Sequence, residues 1–464
     1  MGSDGSPVSP ALRPLRRIQL EVCVPVVRPF RALRFDPGVV GDLGGVIAPP
    51  YDVVGDEMRR ELLARGSHNV VRLDFPVEEF GDPDPDDRYR RAARLLSDWR
   101  GQGALRQDPR PSIYVYEQQF ARPGRTEPET RRGFFARVGL QPFGQEIRPH
   151  ERTMPGPRED RYRLLRATNV NTSPIVAMYR DPRHRVAPLL EAITARPAAV
   201  DVRDLAGDRH RLWVLTAGTD GSAETLAEIA GRVPLTIADG HHRYETALRF
   251  QSERRVGAPA TEEAEHGYDF VLMLLLEPEV GPLLVLPTHR VIRGLGADGL
   301  ATLRTVLSSY FRMSSRMTAD ELLRSLGPDG DEPPRSGGRM GLWTRGGGWI
   351  LQAKRKALDT ILGPGGKAVR RLDVSMLGAV LNAGAGLDVA AIATGERLIY
   401  THDAAEAIAL VDAGTDGADA AFLLDPTPAA EILAVAAEGD VMPQKSTYIY
   451  PKAITGLVIN PLES

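Results

Sequence analysis

Residues Pro234-Leu235-Thr236-Ile237-Ala238-Asp239-Gly240-His241-His242-Arg243-Tyr244-Glu245-Thr246-Ala247-Leu248 join an apolar strand pattern to an amphipathic helix pattern through a sharp polar turn. Such a turn sets Gly240, His241, His242 and Arg243 at a helix N-terminus, where free backbone N–H groups and the positive end of the dipole hold phosphate. Gly240 lets the backbone approach a ligand closely, and Arg243 adds a planar set of donors. Asp239 is the odd member, because a bare carboxylate repels phosphate. It is expected to hold Mg²⁺ or to accept a proton. The plainer alternative makes Asp239 a helix cap and the histidines partners in local hydrogen bonds.

A second group, Arg148-Pro149-His150-Glu151-Arg152-Thr153 with Asp160-Arg161 beyond it, mixes an acid with several phosphate-capable donors. Glu151 is a candidate general base on an alcohol once its surroundings adjust its pKa. His150, Arg152 and Arg161 are candidates to bind phosphate or a substrate carboxylate, against the alternative of a solvated charged loop. A zinc helix of the His-Glu-x-x-His kind is excluded, since position 154 is Met. A third group, Met442 to Lys452, places Lys445, Ser446 and Thr447 together as a grip for phosphate oxygens, or else as an ordinary turn into a last strand. It lacks the Gly-x-x-x-x-Gly-Lys frame of a Walker loop. His289 and Arg290 follow a strand and can line the same cleft.

The elements that must position these groups are readable in outline. Asp56 to Arg65 reads as a helix with Asp56 as N-cap, and Arg88 to Trp99 as a helix with an apolar stripe. From Ser112 the period changes to two, so that Ile113–Tyr116 and Gly133–Val138 form a long hairpin. Short strands are expected at Ile175–Tyr179, Arg211–Leu215, Leu235–Ala238, Phe270–Leu276 and Leu283–Leu286, a helix-rich stretch to Leu326, and a linker to Gly338. The Gly-rich run Asp412 to Asp419 reads as a loop. The expectation is an α+β protein: a leader over 1–27, an N-terminal lobe over 28–110, a mixed-sheet centre over 111–295 and a C-terminal lobe over 296–464.

Composition narrows the function. A chain of 464 residues with 42% hydrophobic and 26% charged residues is long enough for several cores and is not disordered. A net charge of -3 without a basic face disfavours nucleic acid as a partner. The apolar run Phe270 to Leu276 is far too short to span a bilayer. The single Cys23 can make no internal disulfide, which suits a cytoplasmic setting. Lysine occurs only at 354, 356, 367, 445 and 452, so each one stands out against the arginines.

Taken in order, Ala48 to Val53, His150 to Thr153, Asp160-Arg161, Ala238 to Tyr244, Pro287 to Arg290 and Met442 to Lys452 resemble an uncharacterised prokaryotic family, domain of unknown function 1015. The chain departs from that pattern at Leu377-Gly378, where Leu-His is expected. The Asp-Gly-His-His-Arg element separately resembles that of free serine kinases in the ParB and sulfiredoxin superfamily. That resemblance implies a ParB-like nucleotide-binding centre and phosphoryl transfer from ATP or ADP, with Mg²⁺, to the hydroxyl of a small metabolite such as free serine or threonine. It casts Asp239 as the catalytic or metal-binding acid, His241, His242 and Arg243 as phosphate ligands and Glu151 as the second essential acid. Tyr51, His150, Arg152, Arg161, His289 and Arg290 form the expected substrate side. Phosphorylation followed by elimination, a nucleotide-gated regulatory module and a homodimer are the alternatives carried with it.

Overall fold

The computed structural model describes residues 24–151, 155–256, 265–281, 283–326, 337–384 and 397–463. Cys23, Arg152 and most of the expected linker lie outside these residues. The helix expected from Asp56 runs Asp56–Arg65, but Gly55 occupies the cap position and Asp56 is the first helical residue, where its charge suits the dipole. The second helix runs Asp87–Gly101, its Tyr89, Ala92, Leu96 and Trp99 buried. The hairpin is longer than its apolar core suggests, Ser112–Ala121 against Pro128–Gly139, with Tyr114 opposite Phe135.

That hairpin is the middle of a nine-stranded mixed sheet among the described residues. Strand Phe270–Leu276 pairs antiparallel to Pro128–Gly139 on one side and parallel to Ile175–Met178 on the other. Leu235–Asp239 then continues the sheet antiparallel to Ile175–Met178, and Ile147–Arg148 ends it parallel to Leu235 and Thr236. Because side chains alternate across a sheet, Ile113, Val115, Phe134 and Ala136 pack on one face against Leu190, Ile193, Leu226 and Ile229. Tyr114, Tyr116, Phe135 and Leu272 join the core on the other face. Both faces are therefore covered, which is why Phe270–Leu276 reads as an unbroken apolar run.

A second, six-stranded sheet begins with His289–Arg293 and includes Phe311–Met313, Arg339–Thr344, Gly347–Ala353, Leu398–Thr401 and Ala418–Leu423. The run expected to be a loop over Asp412 to Asp419 is mostly ordered otherwise. Asp412 closes the helix Ala404–Ala413 and takes a hydrogen bond from Trp343 Nε1 at 2.8 Å, and Asp419 lies in a strand. The glycines there shape a short turn between two elements that their neighbours complete.

The last segment does not stay with this second sheet. Met442 bridges to Glu151, Tyr448–Tyr450 pairs with Leu284–Leu286, Thr455 bridges to Ala48, Ile459 to Leu33, and Asn460–Pro461 pairs with Val170–Asn171. This strap runs from Glu151 past Leu284–Leu286 and Ala48 to Leu33 and Val170–Asn171, with Ile449, Ile454, Val458 and Ile459 buried. Its backbone groups find partners in three other regions of the chain, and its apolar side chains enter their cores. Ile459→Ala is expected to cost about 2–5 kcal/mol, the usual scale for truncating a fully buried isoleucine. Urea denaturation measures it, and a loss below about 1 kcal/mol would mean that the strap lies on the fold without being part of it.

Candidate active site

Strand Leu235–Asp239 and helix His241–Val256 are separated by Gly240 alone. Gly240 has φ +92°, and a β-carbon there would lie 3.1 Å from Arg243 Nε, so any other residue would be strained and would press on the guanidinium. The strand also slips register just before the turn: Ile237 faces Ala177 while Asp239 faces Val176. A bulge of this kind re-aims the side chain that follows it.

The re-aimed Asp239 carboxylate is held between two cations. Its Oδ2 accepts from Arg243 Nη2 at 2.7 Å, and its Oδ1 accepts from Lys452 Nζ. Lys452 also lies 3.7 Å from Asp52 Oδ2 and 4.8 Å from the centre of the Tyr448 ring. Burial works against ionising Asp239, but Lys452 and Arg243 outweigh it and hold the carboxyl well below its usual range. Burial likewise works against the charge on Lys452, which Asp239 and Asp52 push above the ordinary lysine value. A third cation, the buried Arg131, bonds to Gln118 Oε1 at 2.6 Å and to Pro451 O at 2.9 Å, next to Lys452. The turn is thus positive in spite of its aspartate.

This geometry bears on the expected metal. Each Asp239 oxygen already bonds a side-chain cation, so a Mg²⁺ ion there would sit against the positive charges of Lys452 and Arg243. Among the described residues no group of three or more His, Cys, Asp or Glu is placed to hold a metal ion. The residues present do not fit a metal held by Asp239. The expected conflict between carboxylate and phosphate is relieved by fixed protein cations instead. Nor is Asp239 a plain helix cap, since its carboxylate bonds the side chains of Arg243 and Lys452.

Glu151 and His150 enter from the end of the neighbouring strand. His150 Nδ1 lies 2.5 Å from Ile237 O, an oxygen that can only accept, so Nδ1 carries the proton. Burial lowers His150 to a pKa of about 4, which leaves the ring neutral and Nε2 bare at neutral pH. Nε2 therefore accepts from the Thr447 hydroxyl at 2.8 Å. Thr447 then has no proton left for Glu151 Oε2, 3.4 Å away, whereas a protonated Glu151 can donate to Thr447 Oγ1. Burial is the larger influence on Glu151 and raises its pKa to about 7 against the pull of the Lys445 backbone N–H, which donates to Oε1 at 2.7 Å. Lys445 has φ +55°, a left-handed conformation that this contact helps to hold. His241 lies beside His150, ring centres 4.6 Å apart, and accepts the His150 backbone N–H through Nε2 at 3.2 Å. Burial and the His150 ring push its pKa well down, so it too is neutral.

The structure brings together most of the other residues expected from sequence, often in supporting positions. Lys445 offers Glu151 its backbone while its side chain is exposed, and Ser446 Oγ donates to Pro443 O inside the same turn. Arg290 donates to Thr288 O at 2.8 Å and to Lys445 O at 3.3 Å, bracing that turn. His289 Nδ1 accepts from Leu424 N at 3.1 Å within the second sheet. Arg161 stacks 3.9 Å over the Tyr51 ring and pairs with Asp160. His242 sits half-buried at the start of the helix.

Lys452, Asp52 and Arg131 belong to the site without being singled out by the sequence pattern. Lys452 does carry a signal in its rarity, as one of five lysines, in the same motif as Lys445. Asp52 adjoins Tyr51 in the Pro-Pro-Tyr-Asp turn, which folds as a short 3₁₀ helix, Tyr51–Val53. Arg131 sits in an alternating strand pattern that gives no hint of a buried charge.

Several solved structures resemble the chain at low similarity. A free serine kinase in complex with AMP matches at 12% identity and TM-score 0.34, covering 70% of this chain and 96% of that one. A conserved hypothetical protein from Pyrococcus furiosus matches at 13% identity and TM-score 0.32, covering 69% and 98%. SbnI with a C-terminal truncation, from Staphylococcus aureus, matches at 13% identity and TM-score 0.34, covering 71% and 87%. No curated protein sequence matches the chain. No helix among the described residues is long and apolar enough to cross a membrane. Residues 27–375 match the model described as "Protein of unknown function (DUF1015)", and the chain belongs to that family.

Proposed function

We propose that this chain is a nucleotide-dependent phosphotransferase that moves phosphate from ATP or ADP to the hydroxyl of a small metabolite, with a free amino acid such as serine or threonine as the leading acceptor. The observation that carries this reading is the pairing of a strand-turn-helix holding Lys452 and Arg243 with a half-buried carboxyl poised near neutral pH, linked through His150. Phosphoryl transfer asks for these two things: charge stabilisation of the phosphate and a base for the incoming alcohol.

In this mechanism the phosphates lie over the N-terminal turn of helix His241–Val256, where the first backbone N–H groups have no partner within the helix. Lys452 and Arg243 supply the counter-charge, and Asp239 fixes both in place so that little reorganisation is needed as charge develops. Glu151, ionised, takes the proton of the acceptor hydroxyl as the hydroxyl oxygen attacks the terminal phosphorus and the bond to the bridging oxygen breaks, the electron pair leaving with ADP or AMP. The Lys445 backbone N–H holds ionised Glu151 in position, and neutral His150 beside it offers no positive charge that would weaken its basicity.

Lys452→Met is expected to weaken ATP or ADP binding about 10- to 100-fold, or ~1.4–2.7 kcal/mol, because it removes one charge-assisted contact and leaves Asp239 to repel phosphate. Isothermal titration calorimetry on the folded variant decides the matter, and unchanged affinity would remove Lys452 from the site.

The raised pKa of Glu151 sets the sign of the pH dependence. A base works only when ionised, so acceptor-dependent kcat/KM should rise about tenfold per pH unit below a pH of about 7 and level off above it. Glu151→Gln should abolish that rise and lower turnover ~10²–10⁴-fold with nucleotide still bound. A midpoint at an ordinary carboxylate pKa, or a fully active Gln variant, would assign the proton to another group.

A further inference from the structure

The second sheet brings one more polar ring to the strap. His402 follows strand Leu398–Thr401 and precedes helix Ala404–Ala413, which Asp403 caps by accepting from the Ala405 and Glu406 backbone N–H groups. Its place is therefore fixed from both sides. Nδ1 lies 2.8 Å from Pro287 O, an oxygen that can only accept, so Nδ1 carries the proton and Nε2 the lone pair. The ring packs on Tyr448, centres 3.9 Å apart, and Tyr448 in turn lies against Lys452, so a single aromatic ring separates the imidazole from the ammonium at the Gly240 turn. Thr447, the residue before Tyr448, bonds His150 beside Glu151. His402 is half-buried, and its Nε2 has no partner among the described residues and lies open to water. In this it differs from His150 and His241, whose Nε2 atoms already accept from Thr447 and from the His150 backbone.

The charges that act on this ring are the ammonium groups of Lys452 and Lys445 on the strap and the carboxylate of Glu406, which already takes the Thr401 hydroxyl. Burial, aided by the two lysines, outweighs the Pro287 carbonyl and holds the ring below its ordinary pKa, so it is neutral in the free protein. The other titratable neighbours, His289 and Tyr448, are kept neutral by burial as well. A polyphosphate beside Lys452 reverses this balance, because its negative charge favours an imidazolium. We infer that His402 is a phosphate ligand of the site: when nucleotide binds, the ring takes a proton from solvent at Nε2 and donates it in a hydrogen bond to a phosphate oxygen held at Lys452. The inference rests on the nucleotide site proposed above and deepens it. The charged ring offers one charge-assisted hydrogen bond where the neutral ring, its only N–H given to Pro287, offers none.

ADP alone, titrated calorimetrically into the full chain in buffers of different ionisation enthalpy, counts the protons taken up on binding. At about pH 7 His402→Gln should take up fewer protons per ADP than the wild type, by roughly one half to one. The same deficit should appear when His402→Gln is added to Glu151→Gln, which removes any share that belongs to Glu151. The variant should also bind ADP about tenfold more weakly near pH ~6.5, the gap closing to within about threefold above pH ~8.5, because the bound ring loses its proton as pH rises through its raised pKa. A ring that only packs would leave the proton count unchanged. If His402→Gln does not fold, histidine-selective nitrogen NMR of the wild type decides, since ADP must turn an imidazole signal from the neutral to the charged pattern. Equal proton counts in wild type and variant, a loss of affinity that is the same at every pH, or no imidazole turning charged overturns the inference. ADP binding with none of these changes leaves the nucleotide site standing without His402, whereas failure of ADP to bind at all removes both.

Discussion

Two cations on one half-buried carboxylate are what the rest of this site depends on. Asp239 alone would repel phosphate, and Lys452 or Arg243 alone would be a partly desolvated, unpaired charge; together they hold one another at the turn. Each partner comes from a different part of the chain. Asp239 ends a central strand, Arg243 follows in the next helix, and Lys452 arrives on the C-terminal strap. The strap's course, with its bridges to Ala48 and Leu33, is thus the constraint that fixes the Lys452 ammonium at the turn.

The same strap shapes the acid–base side. Lys445, Thr447 and Lys452 lie within a few residues of one another, so the contacts that seat Glu151 and those that neutralise Asp239 form together or not at all. Arg290 ties this arrangement to the second sheet through the Lys445 carbonyl. Neutral histidines fit the same logic. His150 donates its proton to Ile237 O and accepts the Thr447 hydroxyl, which leaves Glu151 Oε2 without a donor there and favours a protonated Glu151 at rest.

Much of this was legible in the sequence because local patterns determine it. The strand, Gly240 and the helix follow from periodicity and from the need for a positive φ, and the hairpin from alternation. What local patterns cannot carry is a partner more than 200 residues away. Nothing near Asp239 announces Lys452, and a Mg²⁺ ion was the nearest cation that sequence reasoning could supply. Asp56 shows the reverse: the helix was read correctly, but cap identity turns on a single residue's backbone conformation.

The central claim is that protein cations, not a metal held by Asp239, make the Gly240 turn a phosphate site. Titration of the wild-type chain with ADP and ATP in excess chelator, repeated at rising ionic strength, tests it most directly. The account predicts saturable one-to-one binding without divalent ions, weakening as salt screens Lys452 and Arg243. Absence of binding in chelator, with tight binding restored by Mg²⁺, would contradict it.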